Sequence, residues 1–285
     1  MEKNSITPIQ YGSLVIGDGR LTLIGGPCMA ETRELCLEVA DYLRDLCGEL
    51  NVQYIFKASY DKANRSSEGG RRGPGLERGL EYLAAVKERY GVPVITDVHE
   101  SEEVPRVAEV ADFLQIPAFL CRQTDLLHAA GRSGRPVNIK KGQFMAPEDM
   151  QGALEKVRST GNNRVMLTER GTTFGYHNLV VDMRSLVTMR GFGVPVVFDA
   201  THSVQIPGGL GNASGGRREF VAPLARAAAA VGIDVLFTEV HPRPDEAWSD
   251  GPNSLNFEQI REILSKVKQI HDLCWSIPEN QGGRA

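Results

Sequence analysis

The sequence predicts a closed (β/α)8 barrel, a TIM barrel, with a β-hairpin at its N-terminus. First, short apolar segments alternate with longer segments of helical periodicity, as in parallel strands joined by helices. Second, the apolar segments are rich in β-branched residues and lack alternating polar positions, which is typical of strands buried on both faces. Third, eight such units within 285 residues suit a barrel of about 250 residues with right-handed crossovers better than an open sheet.

The N-terminal part of the chain predicts the hairpin. Two short apolar segments flank Gly17-Asp18-Gly19 within residues 13–26, and this is a typical turn sequence between antiparallel strands. The second segment, 21–24, is also the first strand of the barrel. We assign residues 1–20 to a hairpin extension that caps the barrel floor, and residues 1–285 to a single catalytic domain.

The remaining strands and helices follow in regular order. A first helix has apolar residues at spacings of three and four between Leu35 and Leu50. Further strands are predicted at 52–56, 92–96, 113–116, 137–139, 165–167, 194–198 and 235–237. Further helices are predicted near 76–90, 101–111, 122–132, 147–159, 179–190 and 217–231, and a last one has Phe257 and Ile270 on its apolar face.

Composition excludes several classes of protein. The hydrophobic fraction of 41% and the charged fraction of 24% are ordinary for a soluble globular chain. A net charge of −4 gives no reason to expect nucleic acid or an anionic membrane as a partner. The start of the chain lacks a basic segment followed by an apolar one, and the five scattered cysteines include no CxxC pair. We therefore expect a cytoplasmic protein with reduced thiols.

Polar residues follow nearly every predicted strand. They are Cys28; Lys57, Lys62 and Arg65; Asp97, His99 and Glu100; Gln115; Lys140, Lys141 and Gln143; Glu169 and Arg170; Asp199 and His202; Glu239 and His241. The active sites of (β/α)8 barrels lie at the carboxyl ends of the strands. The sequence therefore predicts an active site there.

Two groups of these residues differ in chemistry. The cationic group can bind phosphate and carboxylate oxygens, although a single polar loop of this kind is more often only solvated. It consists of Lys57, Lys62, Arg65, Lys140 and Arg170. A thiol, an imidazole and two carboxylates form a second group that suits a divalent transition metal, Zn²⁺ or Fe²⁺ better than Mg²⁺ because of the sulfur. It consists of Cys28, His202, Glu239 and Asp250.

Other interpretations of the second group stay open at this point. Cys28 can be a buried structural thiol, His202 a helix cap and Asp250 the start of a turn. Outside the second group, Asp97, His99 and Glu100 can be a solvated cluster. The glycine-rich segment 208–216 suits a mobile lid over the substrate, or an unstructured connection.

Six segments at the strand ends carry a family resemblance. They are Phe56-Lys57-Ala58-Ser59, Asp61-Lys62-Ala63-Asn64-Arg65-Ser66-Ser67, Gln115-Ile116-Pro117-Ala118-Phe119-Leu120, Arg122-Gln123-Thr124-Asp125, Asn138-Ile139-Lys140-Lys141-Gly142-Gln143-Phe144 and Asp199-Ala200-Thr201-His202. From Gly25 to Asp250 the chain resembles the 3-deoxy-D-manno-octulosonate 8-phosphate synthase family in register.

The resemblance implies condensation of phosphoenolpyruvate with D-arabinose 5-phosphate and water, in the biosynthesis of lipopolysaccharide, by a homotetramer. It implies that phosphoenolpyruvate is held by Lys57, Lys62, Lys140, Gln143 and Arg170, and the sugar phosphate by Asn64, Arg65 and Ser66. Ser59 and Gln115 lie in the matching segments and join the expected substrate-binding residues. The expected catalytic residues are Lys57 and three candidate proton carriers, Asp97, Glu100 and His202.

One position distinguishes two forms of this family. Metal-requiring members have cysteine in a Gly-Pro-Cys sequence, where other members have asparagine, and this chain has Cys28 there. The resemblance thus implies a Zn²⁺, Fe²⁺, Mn²⁺ or Co²⁺ site with Cys28, His202, Glu239 and Asp250 as ligands. The chain departs from the family after Ser67, where Glu68-Gly69-Gly70-Arg71 replaces Ile-His-Ser before the arginine.

Three alternatives stay open. A 3-deoxy-D-arabino-heptulosonate 7-phosphate synthase would use erythrose 4-phosphate, but it has a Lys-Pro-Arg segment where this chain has Lys62-Ala63-Asn64-Arg65. A metal-dependent aldolase would need no phosphoenolpyruvate. A non-catalytic phosphosugar-binding barrel would bind a substrate without turnover.

Overall fold

Eight parallel strands close into a barrel in the computed structural model, which describes residues 6–64, 69–208 and 215–276. The strands are β1 (Ile9–Tyr11), β2 (Leu14–Ile16), β3 (Thr22–Gly26), β4 (Gln53–Lys57), β5 (Val94–Asp97), β6 (Phe113–Ile116), β7 (Val137–Lys140), β8 (Val165–Glu169), β9 (Thr172–Thr173), β10 (Leu179–Val180), β11 (Val196–Asp199), β12 (Gln205–Ile206), β13 (Gly215–Gly216) and β14 (Val235–Glu239). The helices are α1 (Arg33–Glu49), α2 (Leu76–Tyr90), α3 (Val104–Val110), α4 (Thr124–Arg132), α5 (Met150–Arg158), α6 (Arg184–Arg190), α7 (Val221–Val231) and α8 (Phe257–Ser276).

The barrel order confirms the predicted fold. The strands β3, β4, β5, β6, β7, β8, β11 and β14 pair in that order, and β14 closes the barrel by pairing in parallel with β3. One predicted helix follows each of these strands, and each buries an apolar face. In α1, for example, Leu35, Val39 and Leu43 are buried. Thr32 begins this helix, since its Oγ1 accepts a hydrogen bond from the Leu35 amide at 3.1 Å.

The predicted register of the N-terminal hairpin is wrong. The turn lies at Gly12 and Ser13, and β1 pairs with β2 so that Ile9 faces Ile16. Residues 21–24 do not pair with the preceding segment, because β3 is buried along its whole length and pairs with β4 and β14 instead. Gly17 and Gly19 both have positive φ, 91° and 96°, and they turn the chain from the hairpin into the barrel.

The hairpin closes the floor of the barrel, as expected. The side chains of Ile9, Leu14 and Ile16 pack in one apolar cluster with inward-facing residues of the barrel. Those barrel residues are Ile24, Ile55, Ile95, Phe113, Met166, Val197, Val235 and Phe237. The floor is therefore apolar and filled, which leaves the opposite end for polar chemistry.

Two small antiparallel sheets lie beyond the barrel strands, β9 with β10 and β12 with β13. Neither was predicted. The sheet of β12 and β13 includes the end of segment 208–216, which we predicted to be a mobile lid or an unstructured connection. Gly215 and Gly216 pair there with Ile206 and Gln205. Residues 209–214 lie outside the described residues. No helix in the described ranges is long and apolar enough to cross a membrane. The assignment of residues 1–285 to one domain stays a prediction.

Candidate active site

A cavity of about 470 Å³ opens at the carboxyl ends of the barrel strands. Eleven of the residues with an expected role line it: Lys57, Lys62, Asn64, Asp97, Glu100, Gln115, Lys140, Gln143, Arg170, His202 and Asp250. His99, a strand-end residue without an assigned role, lines it too. Three more, Cys28, Ser59 and Glu239, are buried beside it and contact lining residues. The last two, Arg65 and Ser66, lie outside the described residues. The predicted convergence of strand ends thus brings these described side chains together.

Four of these side chains form a compact donor cluster. One ligand-type atom each of Cys28, His202, Glu239 and Asp250 lies within 4.8 Å of all the others. Asp250 Oδ2 is 3.0 Å from Cys28 Sγ and 3.8 Å from His202 Nε2, and His202 Nε2 is 3.5 Å from Glu239 Oε1. A sulfur, an imidazole nitrogen and two carboxylate oxygens at these distances can surround one metal ion.

The imidazole of His202 is oriented by Asp199. Asp199 Oδ2 lies 2.7 Å from His202 Nδ1, and Oδ1 accepts a hydrogen bond from the His202 amide at 2.9 Å. Because the Asp199 carboxylate lies next to Nδ1, it favours a proton on that nitrogen, which leaves the lone pair of Nε2 toward Glu239 and Asp250. This is the usual arrangement of a histidine that binds a metal.

Lys57 lies beneath this cluster. Its Nζ is 3.1 Å from Glu239 Oε1 and donates a hydrogen bond to the Cys28 carbonyl at 3.2 Å. A Cβ at Gly26 would lie 2.0 Å from the Lys57 carbonyl oxygen, so only glycine lets the chain before Cys28 approach β4 this closely. Burial opposes ionisation of Glu239, but His202, Lys57 and Lys62 outweigh it and lower the pKa of this carboxyl.

The pKa shifts of the Cys28 thiol and the Lys62 ammonium show that negative charge predominates in the cluster. Burial, together with the Asp250 and Glu239 carboxylates, raises the pKa of Cys28 well above its usual value. Burial would lower the pKa of Lys62, but Cys28 and Glu239 raise it instead. The cluster therefore favours cations near it, which fits a divalent ion among the four donors.

Asp97 is held as a carboxylate on the other side of the cavity. It accepts hydrogen bonds from the Ser59 hydroxyl and from Gln115 Nε2, the latter at 2.5 Å. Burial opposes ionisation, but Lys57, Lys62 and His99 lower the pKa of Asp97 far below its ordinary value. An Asp97 that stays ionised can accept a hydrogen bond, but it is a weak base and does not supply a proton at neutral pH.

Arg170 lines the cavity, and two of its buried donors have no partner within the described residues. Its Nη2 donates to Gln205 Oε1 at 3.3 Å, while Nε and Nη1 are buried and meet no acceptor within the described part of the chain. Gln143 Oε1 is also buried without a partner there, and Lys140 Nζ lies 2.6 Å from Asp199 Oδ2. Buried guanidinium groups are normally paired, so this wall of the cavity suits an anionic ligand.

Two side chains of the site were given no role from the sequence: Asp199, which was named only among the strand-end residues, and Gln205, which was not named. Asp199 follows β11 in the Asp-Ala-Thr-His segment, and its carboxylate at a strand end was a usable signal. Gln205 had no such signal, because a neutral side chain after a short turn resembles many surface residues. Lys141 and Glu169, also at strand ends, do not line the cavity and form a fully buried pair behind it, 3.6 Å apart.

Comparisons with known proteins agree with this geometry. Residues 5–275 match the family described as the DAHP synthetase I family. A protein named 2-dehydro-3-deoxyphosphooctonate aldolase from Cyanothece sp. is 56% identical, over 96% of this chain and all of its own. Proteins of the same name from Syntrophotalea carbinolica and Francisella tularensis subsp. holarctica are 59% and 54% identical, over 89% and 96% of this chain and 92% and 100% of their own. The chain therefore belongs to the DAHP synthetase I family and, within it, groups with the 2-dehydro-3-deoxyphosphooctonate aldolases.

Proposed function

We propose that this protein condenses phosphoenolpyruvate with D-arabinose 5-phosphate and water to give 3-deoxy-D-manno-octulosonate 8-phosphate and inorganic phosphate. The product is an intermediate on the route to the sugar acid of lipopolysaccharide. Near full-length relatives named for this aldolase activity support the proposal. The observation that carries it is the anion-binding wall around Arg170, directly beside the four-donor cluster in one cavity.

The cationic wall binds phosphoenolpyruvate. Arg170 Nε and Nη1 are buried donors that lack protein acceptors among the described residues, and a carboxylate or phosphate pairs with two such donors at once. Lys62 and Lys140, together with Gln143, line the same cavity. These groups hold the carboxylate and phosphate of the substrate and fix the position of its carbon three.

The sugar phosphate binds at the opposite rim. Asn64 lines the cavity at the start of the segment that continues into Arg65 and Ser66. This division of the two phosphates leaves the sugar aldehyde between the rim and the donor cluster. Asp97 and Glu100 line the cavity on the same side, and their side chains are near the place of the aldehyde.

Carbon three of phosphoenolpyruvate is a weak nucleophile, so bond formation requires it to be held close to the sugar aldehyde. Carbon three of phosphoenolpyruvate attacks the aldehyde carbon, water adds at carbon two, and phosphate leaves by C–O cleavage, so that every atom of the three reactants appears in the two products. Holding the reactants together contributes most to such a rate enhancement. The ionised Asp97 carboxylate orients the water as a hydrogen-bond acceptor, because its lowered pKa makes it a weak base. Of the other candidate proton carriers, Glu100 lies outside the donor cluster, whereas His202 is one of its four donors.

The donor cluster binds a divalent transition metal, Zn²⁺, Fe²⁺, Mn²⁺ or Co²⁺, through Cys28, His202, Glu239 and Asp250. Support comes from the sulfur in the set, from Glu239 Oε2, which has no hydrogen-bond partner in the described chain, and from the histidine orientation fixed by Asp199. When bound, such an ion polarises the aldehyde or the attacking water as a Lewis acid.

One coupled assay tests the activity. Purified protein is incubated with phosphoenolpyruvate and either arabinose 5-phosphate or erythrose 4-phosphate, with and without a chelator, and released phosphate is measured. We expect turnover with the five-carbon sugar, loss of turnover on chelation, and recovery with added metal. Preference for erythrose 4-phosphate would identify a 3-deoxy-D-arabino-heptulosonate 7-phosphate synthase, binding without turnover would identify a phosphosugar-binding barrel, and full activity after chelation would exclude the metal requirement.

Assembly and location complete the proposal. Phe119 lines the cavity and is 56% exposed, and Phe144, Phe174 and Tyr176 are also exposed on the loops that follow β7 and β8. Exposed aromatic side chains in one region favour association of copies, which supports the proposed homotetramer. Sedimentation velocity measures it directly. A cytoplasmic location is supported by Cys28, Cys36, Cys47 and Cys121, which are buried and form no disulfide within the described residues.

A further inference from the structure

Gln205 lies between the two halves of the active site. It is the first residue of β12 and lines the cavity, three positions after His202. Its side chain contacts one residue of the anion-binding wall and one residue of the donor cluster. Arg170 Nη2 donates to Gln205 Oε1 at 3.3 Å, and Gln205 Nε2 donates to Asp250 Oδ1 at 2.8 Å.

The chemistry of the two neighbours fixes the orientation of this amide. A guanidinium can only donate, so the amide oxygen must face Arg170. A carboxylate accepts, so the amide nitrogen must face Asp250. A rotated amide would lose both hydrogen bonds, and an apolar side chain can make neither.

Asp250 needs such support. Its φ of 52° places a non-glycine residue in the left-handed region, which costs free energy unless surrounding contacts hold it. The contact with Gln205 uses Oδ1, while Oδ2 faces Cys28 Sγ and His202 Nε2 at 3.0 and 3.8 Å. Gln205 thus fixes the carboxylate oxygen that points away from the donor cluster, and so aims the other one into it.

The backbone around Gln205 is tied to the same loop. Gln205 pairs with Gly216, where an added Cβ would lie 1.4 Å from Asn253 Oδ1. Arg218 Nη2 donates to the Gly251 carbonyl at 2.6 Å. The sheet of β12 and β13 and the turn that follows it therefore contact the loop that contains Asp250.

We propose that Gln205 is a positioning residue that couples the anion-binding wall to the metal-binding cluster through the chain of hydrogen bonds from Arg170 to Gln205 to Asp250. This inference rests on the proposed function, because it takes the two halves to bind phosphoenolpyruvate and a divalent cation. A well-fixed Arg170 side chain then helps to fix the Asp250 carboxylate, and a well-fixed Asp250 helps to fix Arg170.

Binding measurements test the coupling without turnover. The affinity for Co²⁺, whose bond to a thiolate gives a characteristic absorption, is measured in apo protein, and the affinity for phosphoenolpyruvate is measured in chelated protein. Gln205→Met keeps the length of the side chain and removes both hydrogen bonds. We expect Co²⁺ binding to weaken by about 10- to 100-fold, as for other groups that orient metal ligands, and phosphoenolpyruvate binding to weaken several-fold. Gln151→Met, at an exposed position on α5, should change neither.

A double-mutant cycle on Co²⁺ affinity gives the decisive result. Arg170→Met removes a cation, so Coulomb's law alone predicts tighter Co²⁺ binding, and we expect this in the Q205M background. In the background with Gln205 intact, the same substitution also releases the amide from its partner, and the gain should be smaller by at least about 5-fold or reversed.

The outcomes separate the two proposals. If the native protein binds neither Co²⁺ nor phosphoenolpyruvate, both the proposed function and the coupling are wrong. If it binds both, but Arg170→Met changes Co²⁺ affinity by the same factor in the two backgrounds, the coupling is wrong and the function stands. Thermal unfolding of each variant is measured in parallel, and a loss of both affinities that follows general unfolding would also overturn the coupling.

Discussion

The ion pair of Lys57 and Glu239 shows how strongly one residue of this site depends on another. Both side chains are 1% exposed, and the two charged atoms are 3.1 Å apart. Removing one partner of a buried pair leaves an uncompensated charge in a poorly solvated place. The Lys57 ammonium also donates to the Cys28 carbonyl at 3.2 Å, so a second hydrogen bond holds it in this buried place.

Lys57→Met should therefore be costly in chelated protein. We expect the free energy of unfolding to fall by about 3–5 kcal/mol, the range for a broken buried pair, as measured by urea denaturation. Adding Glu239→Gln should restore part of the loss, because it removes the unpaired charge. Lys266→Met, which breaks an exposed pair with Glu262 on α8, should cost no more than about 0.5 kcal/mol. Equal losses in the single and double variants would contradict this explanation.

His271 gives the protein a pH-dependent stability far from the active site. Burial in α8 lowers the pKa of this imidazole, although the nearby Asp272 carboxylate opposes the shift. The unfolded chain therefore binds a proton at higher pH than the folded chain. The contribution of His271 is fully present above the unfolded pKa of about 6.5, and it is lost as the pH falls from there toward the folded pKa.

Removing the imidazole should flatten this dependence. We expect His271→Leu to show a smaller fall in the free energy of unfolding between pH 7 and pH 5 than the native protein, in urea denaturation at each pH. A comparison at pH 8, where the imidazole is neutral in both states, gives the packing effect alone. An unchanged slope would show that His271 does not titrate differently on folding.

At the scale of elements, the N-terminal hairpin covers the amino-terminal end of the barrel and fills it with apolar side chains. Ile16 is fully buried against the inward-facing layer, and the Tyr11 hydroxyl hydrogen-bonds Asp112 next to the same layer. Asp112 also accepts from Lys87 Nζ and from the Val94 amide, at 2.5 and 2.9 Å. The hairpin is thus fixed by apolar packing at its centre and by polar contacts at its edge.

Ile16→Ala should destabilise the protein without changing its catalysis. A large-to-small change at a filled core position costs about 2–5 kcal/mol, and the floor is at the opposite end from the cavity. Gln10→Ala, whose side chain is exposed on β1, is the matched control and should be nearly neutral. Urea denaturation and steady-state kinetics measure the two effects, and a changed KM for either substrate would show that the two ends are not independent.

The barrel elements could be predicted from the sequence because each strand is a short, continuous apolar segment with a long periodic segment behind it. The hairpin register could not, since Gly12-Ser13 and Gly17-Asp18-Gly19 are both good turn sequences. What decided between them was tertiary: β3 is buried on both faces and needs two parallel neighbours. The two-residue strands β9 and β12 have too few residues to show any period.

For the whole molecule, closure of the barrel explains why the candidate site was predictable in outline. Polar residues at strand ends must meet once the strands form a ring, so Cys28, Lys57 and His202 could be grouped without any local motif. Their hydrogen-bond partners could not be found in this way. Gln205 enters the site only because β12 folds back over the loop that contains Asp250, and no sequence period predicts that contact.

The apolar floor and the charged cavity lie at opposite ends of the barrel. We therefore expect a substitution in the floor and a ligand in the cavity to have additive effects on the free energy of unfolding. Phosphoenolpyruvate binds the folded state alone, so at 100 times its Kd it should raise the free energy of unfolding by about 2.7 kcal/mol. Ile16→Ala should keep this increment in full while starting from a lower baseline, because its contacts lie in the floor. Arg170→Met should lose most of the increment at the same ligand concentration, since the buried donors for the anion are gone. Urea denaturation of the three proteins with and without ligand measures this, and a smaller increment in Ile16→Ala than in the native protein would mean that floor and cavity are energetically coupled.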